Sequence, residues 1–208
     1  MRELLLLLAL AIQPGFAEEP PPVARVALYV QFDETPPAAV VDSLRTELDS
    51  IMAPIGLQFE WRPLANSSSE AAAELAVVSF KGRCDSTGLS PHSTNPGALG
   101  WTHISDGVIL PFTDLDCGGL RAFLGEQLLA LAREDRDGAL GRALGRVLAH
   151  ELYHIFANTA RHGSVGVAKE SYSVQDLLSD DFQFQAKESR MLQSNRPRPA
   201  VEVSAGSM

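Results

Sequence analysis

Val147-Leu148-Ala149-His150-Glu151-Leu152-Tyr153-His154-Ile155-Phe156 is the stretch whose reading decides the fold, with His162 a few residues on. Histidines four apart on a helix stand one above the other, about 40° apart around the axis at ~3.6 residues per turn. Both imidazoles can then reach one metal ion. Glu151, beside the first histidine, is placed to contact a water on that metal rather than the metal itself. Apart from Glu151, the residues around and between the motif positions are small or apolar.

The helix carrying the motif has an apolar stripe through Leu140, Leu144, Val147, Leu148, Leu152, Ile155 and Phe156. Arg142 and Arg146 are expected on the opposite side, in water. Glu151 falls inside the stripe, where an unpaired carboxylate is costly unless it takes up a proton. A carboxyl with a raised pKa suits a general base. Asp137 is a candidate cap, and Asn158 suits the left-handed end of the helix.

A catalytic zinc has three protein ligands and an open position. Beyond His150 and His154, the chain offers His162 and Glu170, with Asp176 a more distant option. His162 precedes Gly163, which suits a reversal beneath the helix, and is the favoured third ligand. His92 in a long loop and His103 in a strand are expected to have no metal role. Asp114 and Asp116 lack the fuller ligand loop a calcium site needs.

Upstream, residues 25–32, 57–61 and 75–80 read as strands, and 99–103 with 108–112 as a hairpin turning at Ser105-Asp106-Gly107. Thr35 as N-cap and Pro36 at the first helical position open a helix with core positions Val41, Leu44, Leu48, Ile51 and Met52. Further helices are expected over 119–133, over 173–178 and after Asp181. The strand near Trp101 to His103 is a candidate sheet edge for an extended peptide. The order predicts an α+β fold, a mixed twisted sheet packed on helices.

The chain has 208 residues with a net charge of −9, and that acidity argues against nucleic acid or anionic membrane surfaces as partners. Arg2, the apolar run Leu4 to Ile12 and the small residues Gly15 and Ala17 read as a signal peptide over 1–17. The run is too short to span a bilayer, which takes ~20 residues. The mature protein is therefore expected to be secreted or periplasmic, without a stable membrane anchor, and monomeric. Export and an even cysteine count suggest one disulfide, Cys84–Cys117, with two separate buried thiols the alternative. Asn66-Ser67-Ser68 fits an N-glycosylation acceptor, and residues from Asn195 onward are expected to be a frayed tail.

The motif residues, His162 and Gly166-Val167-Ala168 together resemble small secreted bacterial zinc proteases related to the metzincins. In that pattern His-Glu-x-x-His is followed by a third histidine and a Gly-Ile-Met-like turn. The resemblance implies a single zincin-like metalloprotease domain over 18–194. Zn2+ would sit on His150, His154 and His162, with Glu151 the catalytic carboxylate and a peptide or protein the substrate. Tyr172, past the turn, is a candidate oxyanion donor. Ala157 stands where the pattern has glycine, the third histidine comes two residues later, and Ala168 replaces the methionine. The last change raises the alternative of a catalytically impaired zinc-binding module that acts by binding a protein partner.

Overall fold

The structure is a computed structural model that describes residues 23–66, 74–92 and 97–195. The signal peptide over 1–17, Ser67 and Ser68 of the glycosylation acceptor, and the tail from 196 lie outside the described residues.

Strand β1 (Ala24–Phe32) lies inside a five-stranded sheet, between β2 (Leu57–Pro63) and β3 (Leu75–Lys81), parallel to both. β3 pairs in parallel with β5 (Val108–Asp116), and β4 (Gly100–Ser105) runs antiparallel to β5 at the edge. The sheet is therefore mixed, as the sequence suggests, and β4 is an edge strand. The hairpin turns at Asp106 and Gly107, both with positive φ (50° and 78°), which suits a tight two-residue connection.

Helix α1 (Ala38–Met52) connects β1 to β2. It begins later than Thr35 and Pro36 suggest: its N-cap is Pro37, with no side-chain cap, because two adjacent prolines hold the chain extended before it. Val40, not Val41, takes the core position. Helix α2 (Cys117–Ala130) is capped by Asp116, whose carboxylate accepts from the Gly119 N–H at 2.8 Å, so that aspartate has a structural role.

The motif helix α3 (Arg136–Phe156) is buried between α1, the sheet and the segment that follows it. Every residue from Leu140 to His154 is buried except Arg142. Gly141 and Gly145 make this possible. A Cβ at Gly141 would stand 2.3 Å from Val40 O, and one at Gly145 2.8 Å from Leu44 O. Each glycine costs helix stability, roughly 0.5–1 kcal/mol relative to alanine, and lets the two helix backbones approach closely.

Arg146 does not project into water, contrary to the expectation; it is 1% exposed. A stripe-and-surface reading fails for a helix covered on nearly all sides. Arg142 stays half-buried, donating to Leu178 O. Asp137 does not cap α3 either, since its carboxylate accepts from the Ser86 N–H at 2.9 Å. The Cys84–Cys117 disulfide is formed, joining the loop after β3 to the start of α2.

Beyond α3 come α4 (Val174–Leu178), opened by a Ser173–Asp176 capping box, and α5 (Ala186–Ser194). No helix of the described residues is long and apolar enough to cross a membrane.

Candidate metal centre

Helix α3 presents His150, Glu151 and His154 from its last two turns, with exposures of 6%, 4% and 8%. The helix stops at Asn158, whose φ of 47° is left-handed. The chain then folds back, and Thr159 O accepts from His154 Nδ1 at 2.7 Å. His162 comes to lie over the pair, its ring stacked on His150 at 5.2 Å between centroids and edge-on to His154 at 4.8 Å. One nitrogen from each of the three histidines lies within 4.8 Å of the others.

A short turn, Gly166–Ala168, passes behind His150, and Val167 O accepts from its Nδ1 at 2.8 Å. Gly166 has φ 67°, and a Cβ there would stand 2.2 Å from Gln183 O, so only glycine fits. The turn closes on itself through Gly163 N–H to Ala168 O at 2.6 Å.

These bonds fix the tautomers. A carbonyl can only accept, so Nδ1 of both His150 and His154 carries the proton. Burial above all, and the neighbouring His154, lower the His150 pKa to about 3; burial likewise lowers that of His154. Both rings are then neutral near pH 7, and each Nε2 bears a lone pair. Those two nitrogens face each other at 3.0 Å. Neither has a proton to give the other. Facing lone pairs are repulsive unless a cation lies between them, and zinc bonds imidazole nitrogen at about 2.0–2.1 Å. The residues present fit a metal ion on their own chemistry.

Glu151 is held by Thr102 of β4. Thr102 Oγ1 stands 2.8 Å from Glu151 Oε2. Burial raises the Glu151 carboxyl to about pKa 7, against the opposing effect of the Thr102 hydrogen bonds. A cleft of about 390 Å³ brings together all three histidines, Glu151, Thr102, Glu170 and Tyr172, with Leu99, Phe123 and Val147 among its apolar walls.

Tyr172 is placed differently from its expected role. Its hydroxyl donates to Val167 O and lies 2.8 Å from His150 Nδ1, behind the imidazole and away from Nε2. In this arrangement it buttresses His150 and the turn instead of facing a developing oxyanion. Glu170 is exposed and outside the three-residue cluster. Asp176 accepts from Lys169 at 2.8 Å and from Ser173. His92 remains on an exposed loop, and His103 pairs with Asp114 at 2.6 Å on the outer face of the sheet.

Sequence reasoning missed Thr102, Val167 O and Thr159 O. Two are backbone carbonyls, which carry no sequence signal, and Thr102 lies on a strand far away in the chain.

The chain matches no protein-family model and no curated protein. Among solved structures it is similar to the archaemetzincin of Methanopyrus kandleri, with a TM-score of 0.47 and 14% sequence identity over 83% of this chain and 95% of that one.

Proposed function

We propose that the chain is an exported zinc-dependent endopeptidase, with His150, His154 and His162 as the zinc ligands and Glu151 as the general base. One observation carries the reading: two neutral imidazole nitrogens face each other at 3.0 Å beside a buried carboxyl in one cleft. When bound, zinc would supply Lewis-acid polarisation of the scissile carbonyl and a lowered pKa for the attacking water.

The chain's own residues account for the rest. Glu151, with a carboxyl pKa near 7, accepts the proton of the attacking water and returns it to the leaving amine. Val167 O and Thr159 O hold the proton of each imidazole at Nδ1, so that both Nε2 atoms face the cleft. The free edge of β4 offers backbone groups to an extended peptide, whose side chains would meet the apolar walls of the cleft. The signal peptide read from the sequence supports export, and with it a secreted or periplasmic location.

A second reading is a zinc-binding module without turnover, acting on a protein partner. It is favoured by Ala168 and by Tyr172, whose hydroxyl is engaged behind His150. Metal analysis of the purified protein, with hydrolysis of an unfolded protein substrate in the presence and absence of a chelator, tests the proposal. Stoichiometric zinc with chelator-sensitive cleavage is expected. Zinc without cleavage selects the second reading, and absence of zinc binding overturns both.

A further inference from the structure

Strand β4 meets Glu151 at two points. Thr102 Oγ1 lies 2.8 Å from Glu151 Oε2 and 3.1 Å from Glu151 O. On the other side of the carboxylate, a Cβ built on Gly100 would stand 2.9 Å from Oε1 and 3.0 Å from Cγ. One oxygen is therefore held by a hydroxyl, and the other lies against a residue with no side chain. Among the described residues, Thr102 makes the only side-chain hydrogen bond to this carboxylate, joined by a weaker one from the Thr102 backbone. Among those residues, no lysine or arginine lines the cleft to do so instead.

The local strand geometry agrees. Thr102 pairs with Thr113 in β5, whereas Ile104 pairs with Ile109, so the register breaks directly after Thr102. Pro111, which has no N–H for a ladder, lies in the stretch of β5 that is skipped. Irregularities of this kind re-aim side chains beside functional sites. Here the segment from Gly100 to Thr102 stays regularly paired, and its inner side faces Glu151.

We infer that Thr102 is a positioning residue for Glu151: its hydroxyl fixes the carboxylate against Gly100 and ties the general base to the sheet edge that borders the cleft. The inference rests on the reading of Glu151 as general base. A buried carboxylate without that bond could rotate about its last side-chain torsion, which is broad for glutamate. Misplacement of a reacting group by ~1 Å can cost about a hundredfold in rate. The hydroxyl removes that freedom.

Thr102→Val keeps nearly the same shape and loses the hydroxyl, whereas Thr102→Ser keeps the hydroxyl. The full chain of each is loaded with zinc and compared for metal content, steady-state peptide hydrolysis and the crystallographic position of Glu151. Thr102→Val should retain zinc, lower kcat by about 10- to 100-fold with KM almost unchanged, and show the carboxylate turned from its wild-type position. Thr102→Ser should recover kcat to within about threefold of wild type. Gly100→Ala, which crowds Oε1, should also lower kcat without loss of zinc, and it decides the matter if Thr102→Val does not fold.

Unchanged kcat in Thr102→Val, or in Gly100→Ala if that variant has to decide, overturns the inference, as does a loss in Thr102→Val that serine does not restore. If the wild-type protein loads zinc and cleaves no peptide, the proposed function fails separately. The carboxylate position in Thr102→Val then decides: a displaced Glu151 supports the positioning role, and an unmoved one overturns it.

Discussion

Arg146 and Glu47 form an ion pair inside the molecule: Arg146 Nε donates to Glu47 Oε1 at 2.7 Å, with side-chain exposures of 1% and 15%. The same guanidinium donates to Asp176 O at 2.7 Å and Ser179 O at 2.6 Å, and lies 4.8 Å from the centre of the Phe182 ring. One side chain thus joins α1, the motif helix and the segment beyond Tyr172. Its position one helical turn before His150 makes it part of the frame of the metal centre.

Removing one partner of a buried pair strands the other. Arg146→Ala is expected to lower unfolding free energy by about 3–5 kcal/mol. Glu47→Ala should cost less, because the guanidinium keeps its carbonyl partners. Urea unfolding of both variants at neutral pH checks this, and an Arg146→Ala protein as stable as wild type would contradict it.

His162→Ala leaves two imidazoles for the metal. Its zinc affinity should fall by more than the roughly 10–100-fold typical of changes outside the ligand set. Glu170→Ala should change it little, since Glu170 is outside the cluster. Dialysis against a graded chelator compares the two. Metal lost by Glu170→Ala and kept by His162→Ala would replace the histidine by a carboxylate.

Glu151→Gln tests the base and the cost of its burial together. With zinc, the variant should keep metal and lose hydrolysis, because an amide does not accept the proton. Without zinc, the sign follows from the raised pKa, from 4.5 to about 7. Between those values the folded chain holds a proton the unfolded chain has released, so stability falls as pH rises through this window. At pH 8 wild type carries the full penalty, on the order of 3 kcal/mol, and at pH 4 it carries none. Metal-free Glu151→Gln should therefore be more stable than wild type at pH 8, with the difference gone at pH 4. Denaturant titrations at both pH values measure this, and an advantage confined to low pH would refute the assignment.

Reduction of Cys84–Cys117 releases a link between residues 33 apart in sequence. The Cys84→Ser/Cys117→Ser double variant should lose roughly 3–4 kcal/mol on the chain-entropy account. Both cysteines are buried, at 1% and 0% exposed, so the serine hydroxyls add to the loss. The thermal midpoint of the double variant, set beside that of the oxidised wild type, reads the effect.

The sequence by itself determined the motif helix, its left-handed stop at Asn158, the hairpin at Asp106-Gly107 and the pair of histidines. Each depends on contacts within a few residues, so spacing and residue type suffice. Cysteine count and chain context were enough to suggest the disulfide. Local reading also favoured His162 over Glu170, because the reversal before Gly163 is a local event. What it got wrong were matters of surroundings. Arg146 was assigned to water because periodicity marks the apolar side of a helix and is blind to a second helix on the other side. That closeness rests on Gly141 and Gly145, whose meaning appears only beside Val40 O and Leu44 O. Tyr172, a candidate oxyanion donor by sequence, lines the cleft, but its hydroxyl is engaged with Val167 O beside His150 Nδ1. Tertiary structure alone decided the partners that complete the centre: Val167 O and Thr159 O set the tautomers, and Thr102 reaches Glu151 from 49 residues away. Backbone carbonyls look alike in every sequence, and a threonine in a strand becomes a partner of the base only when the sheet edge is laid against the helix.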